Sequence, residues 1–264
     1  MFKLGILGVG KMGSAILSGI INGGLISKDE ILLCDSFKDN LLKLKGEAYN
    51  VTENAEEIFD GCDAFILAIK PQSFGEITEI SDGKDFSGKK VVSIAAGIGI
   101  DYLKSHFKGA IVARCMPNTP ALIGKGVTAI AARKEDAEGL SLAKAIFSSV
   151  GKAYETDEDL MDLTVPLNGS MPAYLYTFAG AFIDSATRRG VPYETAKALV
   201  CESIISSAEM IIRSKDDIET LTKNVCSKGG TTIAGLDRLL SGDFLKSVDD
   251  CYIACAERSK ELSK

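Results

Sequence analysis

Imidazole and indole are nearly missing: the 264 residues include one histidine, His106, and no tryptophan. A histidine-rich zinc site therefore cannot be assembled, and any Ser-His-Asp triad would have to be built around that one residue. His106 falls late in an expected helix, where it has no expected part in chemistry. Basic residues are also in short supply, 30 Lys plus Arg against 36 Asp plus Glu for a net charge of −6. Binding a nucleic-acid backbone calls for the opposite balance, so nucleic acid is not an expected partner. The seven cysteines, at 34, 62, 115, 201, 226, 251 and 255, are odd in number and form no CxxC pair, which excludes a disulfide framework and a zinc ribbon and points to a reducing cytoplasm. Cys251 and Cys255 share one helix face as small apolar residues, and no metal is assigned. Neither charge-free run reads as a membrane segment. Met12–Ser27 follows Lys11 and is broken by glycines, and Thr164–Ile183 contains Pro166, Asn168, Gly169, Ser170 and Pro172.

What is present is a chain that is 46% apolar, enough for one large core or two modest ones. Its first half alternates apolar runs (3–7, 31–34, 64–69, 91–95, 111–114 and 127–131) with amphipathic stretches at 13–22, 39–44, 54–60, 74–80, 101–106 and 135–150. Strands alternating with helices predict an α/β doubly wound parallel sheet. Beyond about Thr156 the apolar spacing becomes three and four, and the remainder reads as helix. One helix, 173–188, is apolar nearly all round and is closed by Gly190; the next runs from Pro192 to about Ser214, and two more follow Gly230 and Gly242. The expected division is a dinucleotide-binding domain over 1–156 and a helical dimerisation and substrate domain over 157–264. An element apolar on all sides implies burial against another subunit.

Gly8-Val9-Gly10-Lys11-Met12-Gly13 follows the first strand and opens a helix. In that setting Gly8 serves the tight turn, Gly10 the approach of a pyrophosphate, and Gly13 the close packing of helix on strand. Asp35 ends the second strand, 35 − 13 = 22 residues after the last glycine. An acidic side chain there accepts from ribose hydroxyls and favours NADH, while Ser36 and Lys38 offer partners to a 2′-phosphate. Two further strand ends, 68–72 and 93–97, fall where such a sheet binds ligands, and the small Ala95, Ala96 and Gly97 leave room for a flat ring. The segment 114–121 carries two prolines that stiffen it, holding an amide and a hydroxyl in place. In the helical half, Val225-Cys226-Ser227-Lys228-Gly229-Gly230-Thr231-Thr232 opens a helix. It reads either as a concave amide site for a carboxylate or phosphate, or as an ordinary threonine N-cap with a glycine bend.

Taken together, the glycine turn, Ala68 to Gln72, Ser93 to Ile98, Met116 to Ala121, Gly169 to Tyr174 and above all Gly229 to Leu236 resemble the pyrroline-5-carboxylate reductase family, over the whole chain and in the family's order. The resemblance implies a Rossmann-type domain followed by an all-helical dimerisation domain, and NADPH- or NADH-dependent reduction of 1-pyrroline-5-carboxylate to L-proline. It implies a homodimer that can extend to a ring of dimers. By similarity, Leu7, Gly8, Val9, Gly10, Lys11, Met12, Asp35, Asn54, Ala68, Ile69, Lys70, Pro71, Ala95, Ala96 and Gly97 line the cofactor. The amides of Gly230, Thr231 and Thr232, with Asn224 nearby, hold the substrate carboxylate, and the Thr232 hydroxyl meets the imine nitrogen. The chain departs from the family at Met171, where glycine is usual, and at Lys228, where proline is usual. Both departures bear on substrate identity.

Two other readings compete. A β-hydroxyacid dehydrogenase needs a lysine and an asparagine together on one helix; Lys197 is the nearest candidate, and no asparagine lies within a turn of it. A dinucleotide sensor without activity is the other. Reduction of a cyclic imine asks the protein mainly to orient two flat rings and anchor a carboxylate, which a chain nearly free of histidine can do.

Overall fold

The computed structural model describes residues 1–262. Eight strands build one sheet: β1 (Phe2–Leu7), β2 (Ile31–Cys34), β3 (Asn50–Thr52), β4 (Cys62–Leu67), β5 (Lys90–Ser93), β6 (Ile111–Met116), β7 (Gly126–Ala132) and β8 (Gly151–Glu155). Their spatial order is β3-β2-β1-β4-β5-β6-β7-β8, doubly wound about the β1–β4 pair. Helices α1 (Lys11–Asn22), α2 (Lys38–Gly46), α3 (Ala55–Gly61), α4 (Phe74–Ser81), α5 (Ile100–His106) and α6 (Ala137–Ser148) connect them. After the sheet come α7 (Met161–Thr164), α8 (Met171–Thr187), α9 (Tyr193–Arg213), α10 (Ile218–Val225), α11 (Thr231–Ser241) and α12 (Phe244–Leu262).

The strands inside the two edges, β2, β1 and β4 to β7, are buried on both faces, which is why they read as continuous apolar runs. Leu4, Ile6, Ala64 and Ile66 pack with Ile16 and Ile20 of α1 and Phe147 of α6. Leu7, Phe65 and Leu67 point the other way, into a core with Phe59, Phe86 and Phe107. These phenylalanines meet edge-on or tilted, Phe86 and Phe107 with centroids 5.1 Å apart, a geometry that suits the ring quadrupoles.

The structure departs from the expected all-parallel sheet at β7, which runs antiparallel to β6, with β8 parallel to β7. The reason is connection length. Residues 117–125 contain only a 3-10 turn closed by Gly124 at φ 69°, too little chain for a crossover between parallel neighbours. Two strands and two helices are not singled out in the sequence: β3 is three residues long, the edge strand β8 (GKAYE) is largely solvated, α7 is one four-residue turn, and α10 is a single short amphipathic segment.

By contacts the chain forms two compact units, residues 1–172 together with the C-terminal segment from Cys255, and residues 173–254. The sheet ends at Glu155, next to the expected boundary at 156/157. The first unit nevertheless runs on to Pro172, because Met161 and Asn168 are buried in it and Ser259 of α12 donates to Asp162 at 2.7 Å. The second unit consists of helices that leave Tyr176, Phe182, Leu199 and Ile211 exposed on the single chain.

Helix α2 ends on Ala48 in the left-handed region, φ 62°, with Ala48 N–H donating to Lys45 O and Tyr49 N–H to Leu44 O. Glycine usually fills this position. Ala48→Gly is expected to stabilise the protein by about 0.5–1 kcal/mol, the relief of strain exceeding the added chain entropy. Equilibrium urea unfolding with an unchanged slope and a raised midpoint is the check.

Candidate active site

The carboxyl edge of the sheet gathers the predicted cofactor residues. At the end of β1 the chain turns at Gly8, φ +92°, whose N–H donates to Cys34 O at 2.8 Å, while Ala68 N–H donates to Leu7 O at 2.8 Å. A Cβ on Gly8 would stand 2.5 Å from Ala68 O, and one on Gly13 would stand 2.0 Å from Gly8 O. At Gly10, by contrast, an added Cβ meets nothing within 4 Å. Two glycines thus close the loop onto the protein, and the third leaves open space above it. Gly10 is also the N-cap of α1, with no side-chain acceptor and no acidic residue in the first turn. The leading amides of α1 have no intrahelical acceptors, so a dinucleotide pyrophosphate fits this cradle.

Asp35, at the end of β2, is buried and multiply bonded. Its carboxylate accepts from Val9 N–H at 2.7 Å, from Phe37 N–H at 2.8 Å and from Asn40 Nδ2 at 3.3 Å. It therefore clamps the glycine loop to the β2–α2 turn, a role its place in the sequence does not disclose. Lys38, one of the two residues suited to a 2′-phosphate, is exposed and pairs with Glu53 at 3.0 Å. Asn54 is the N-cap of α3, its Oδ1 accepting from Glu56 N–H at 2.9 Å. Ala68 to Pro71 follow β4, and Ala95 to Gly97 follow β5, with Gly97 at φ +75°. Leu7 to Met12, Asp35, Asn54, Ala68 to Pro71 and Ala95 to Gly97 thus lie along one edge of adjacent strands, on both sides of the β1–β4 switch point where such sheets bind ligands.

The second cluster lies in the helical unit. Gly229 adopts φ +71° and Gly230 caps α11; a Cβ on Gly230 would stand 2.3 Å from Ser227 Oγ. No side chain caps α11, so the threonines are not its N-cap, and its first turn carries no acidic residue. Gly230 N–H donates to Ser227 O at 3.0 Å, so of the three amides in view the turn itself uses one, and those of Thr231 and Thr232 face no intrahelical acceptor. Thr231, Thr232 and Lys228 are exposed, and Asn224 lies exposed in the last turn of α10.

The stiff segment after β6 owes its order to paired amides that the sequence reading did not connect. Asn118 accepts from Val127 N–H at 2.8 Å and donates to Asn168 O at 3.0 Å; Asn168 in turn donates to Met116 O at 2.7 Å. Both asparagines are buried. Burial also pushes the thiols of Cys34 and Cys62 up to about 11, so neither is a nucleophile near neutral pH. His106 is the last residue of α5, at the end of that helix remote from the carboxyl edge, with its ring 4.7 Å from that of Tyr102. His106→Gln is expected to leave kcat and both KM values within about twofold, a change below the smallest hydrogen-bond effect; steady-state kinetics decide it.

Comparison with known proteins bears on the whole chain. Residues 158–262 match the family model for pyrroline-5-carboxylate reductase dimerisation, and residues 3–97 the model for NADP oxidoreductase, coenzyme F420-dependent. A pyrroline-5-carboxylate reductase of Synechocystis is 34% identical, covering 99% of this chain and 98% of its own. One from Arabidopsis thaliana is 32% identical over 100% of this chain and 96% of its own. In structure, Plasmodium falciparum pyrroline carboxylate reductase with NADP bound superposes with a TM-score of 0.88 at 30% identity, covering 100% of this chain and 98% of that one.

Proposed function

The chain belongs to the pyrroline-5-carboxylate reductase family, and from that premise we propose how its residues divide the work of reducing 1-pyrroline-5-carboxylate to L-proline with NAD(P)H. The observation that carries the division is the uncapped start of α11, with two amides and two threonine hydroxyls left for a ligand. NAD(P)H, when bound, supplies the hydride that reduces the C=N carbon.

Everything else falls to the chain. The Gly8–Gly13 turn and the first amides of α1 hold the pyrophosphate, with Asp35 keeping the turn in place. Asn54, Ala68 to Pro71 and Ala95 to Gly97 line the rest of the dinucleotide. The amides of Thr231 and Thr232 anchor the substrate carboxylate, and the charge of Lys228 and the amide of Asn224 add to that field. The Thr232 hydroxyl would hydrogen-bond the imine nitrogen or relay to it, from solvent, the proton that the ring nitrogen gains when its carbon is reduced. No imidazole is required. Met171, at the start of α8 where the family has glycine, trims the range of cyclic imines accepted.

The assembly we propose is a homodimer through the helical unit, extending to a ring of dimers, in the reducing cytoplasm. Supporting it, Phe178, Phe182, Leu199, Ile204 and Ile211 line an apolar groove of about 580 Å³ on the single chain, and all seven cysteines are free. Among the described residues no helix is long and apolar enough to cross a membrane. Light scattering that returns only monomer overturns the assembly. Oxidation of NADPH and NADH is measured with 1-pyrroline-5-carboxylate, in parallel with a 3-hydroxy acid plus NAD(P)⁺. Turnover in the first arm and silence in the second is expected; the reverse overturns the function.

A further inference from the structure

An ion-pair chain centred on a buried guanidinium reaches the end of the loop that follows β5. Glu158, in the turn after β8, accepts from Ile100 N–H through Oε1 at 2.6 Å, a hydrogen bond across 58 residues. Ile100 opens α5, directly after the Ala95–Gly99 segment. The same Oε1 lies 3.7 Å from a guanidinium nitrogen of Arg114 on β6, and that guanidinium meets Asp162 Oδ1 at 3.3 Å. Asp162 Oδ1 also accepts from Ser259 of α12 at 2.7 Å. The Arg114 side chain is only 8% exposed. With the guanidinium shielded from water, its attraction for the half-buried Glu158 carboxylate is screened less than that of a fully exposed pair.

Within the segment, the internal bonds are few. Ala95 N–H reaches Ser93 Oγ at 3.3 Å and Ile98 N–H reaches Ala95 O at 3.4 Å, both long, around a left-handed Gly97. The shortest bond tying this stretch to the rest of its unit is the one from Ile100 to Glu158. We propose that Glu158 is a positioning residue for the dinucleotide. Fixed by Arg114, it holds Ile100 N–H and so sets the Ala95–Gly97 backbone against which the cofactor's ring lies. The inference rests on the reading of Ala95 to Gly97 as cofactor-lining, and it assigns the segment after the sheet a part in cofactor affinity.

One isosteric and one shortened variant separate charge from reach. Glu158→Gln keeps an oxygen where Oε1 stands but loses the charge facing Arg114; Glu158→Asp keeps the charge and withdraws it by one methylene from Ile100. If Glu158 acts by position, E158D raises the cofactor Kd and KM about tenfold, the worth of one charge-assisted hydrogen bond. E158Q, which keeps a neutral acceptor without the charge, loses only about threefold, half the free energy of that bond, while its melting temperature falls with the lost ion pair. The opposite order, with E158Q weakened and E158D normal, or cofactor affinity unchanged in E158D, overturns the proposal. Ala96→Val serves as the control for the underlying reading. Weakened cofactor binding in A96V with none in E158D rejects the role of Glu158 alone. Unchanged binding in A96V rejects the site reading and the inference with it.

Discussion

Thr232→Ala is expected to lower kcat by about 100-fold while leaving the cofactor KM within about twofold, the signature of an interaction made in the transition state and not in the cofactor site. The size follows from what the hydroxyl is asked to do. One preorganised donor at the atom where charge changes is worth ~2.7–4 kcal/mol in a water-excluded site, and 2.7 kcal/mol is about two orders of magnitude in rate. The fold should hardly notice. Thr232 is exposed on the single chain and does not cap α11, so stability should change by no more than about 0.5 kcal/mol. Thr232→Ser, which restores the hydroxyl without the methyl, should recover most of the loss. Thr231→Ala is the companion measurement, because that residue has the same chemistry one position away; a larger effect there moves the role to Thr231. Full turnover in T232A removes the assignment.

How much of this was legible before the fold was known depends on what periodicity carries. The Gly8–Gly13 turn announces itself because each glycine has a separate steric cause, and the structure places Gly8 and Gly13 against backbone and Gly10 against open space as the spacing implies. The helix starting at Thr231 and the stop at Gly190, φ +95°, were legible for the same reason, since glycine marks backbone that other residues avoid. Continuous apolar runs show which strands are buried on both faces, but they are blind to direction, so they do not reveal the reversal of β7, although the short connection 117–125 is a usable signal. Long-range side-chain bonds leave no periodic trace at all. Asp35 is placed correctly at a strand end, yet its bond to Val9 N–H spans 26 residues, and the Glu158 to Ile100 bond spans 58. The same limit applies to Asn118 and Asn168, whose pairing lies 50 residues apart in the chain.

The second large effect comes from a contrast within the glycine turn. Gly10→Val should fold with a stability loss of about 1 kcal/mol at most, the cost of a poorer N-cap, since nothing lies within 4 Å of the added Cβ. Its backbone, φ −68° and ψ −164°, suits any residue. Cofactor affinity should nevertheless fall about 100-fold, because the side chain fills the space through which a pyrophosphate approaches the amides of α1. Gly13→Ala must behave differently. Its Cβ would press to 2.0 Å from the carbonyl oxygen of Gly8, backbone that is itself pinned to Cys34 O and, through Leu7 O, to Ala68 N–H. Relieving that overlap means shifting the turn or tilting α1, an overpacking cost of about 1–3 kcal/mol that appears in thermal unfolding as well as in cofactor binding. Fluorescence titration with NADPH beside a melting curve for each variant resolves the pair. Affinity lost without stability at Gly10, and both lost together at Gly13, is the expected pattern. Normal NADPH binding by a folded G10V places the pyrophosphate somewhere other than the start of α1.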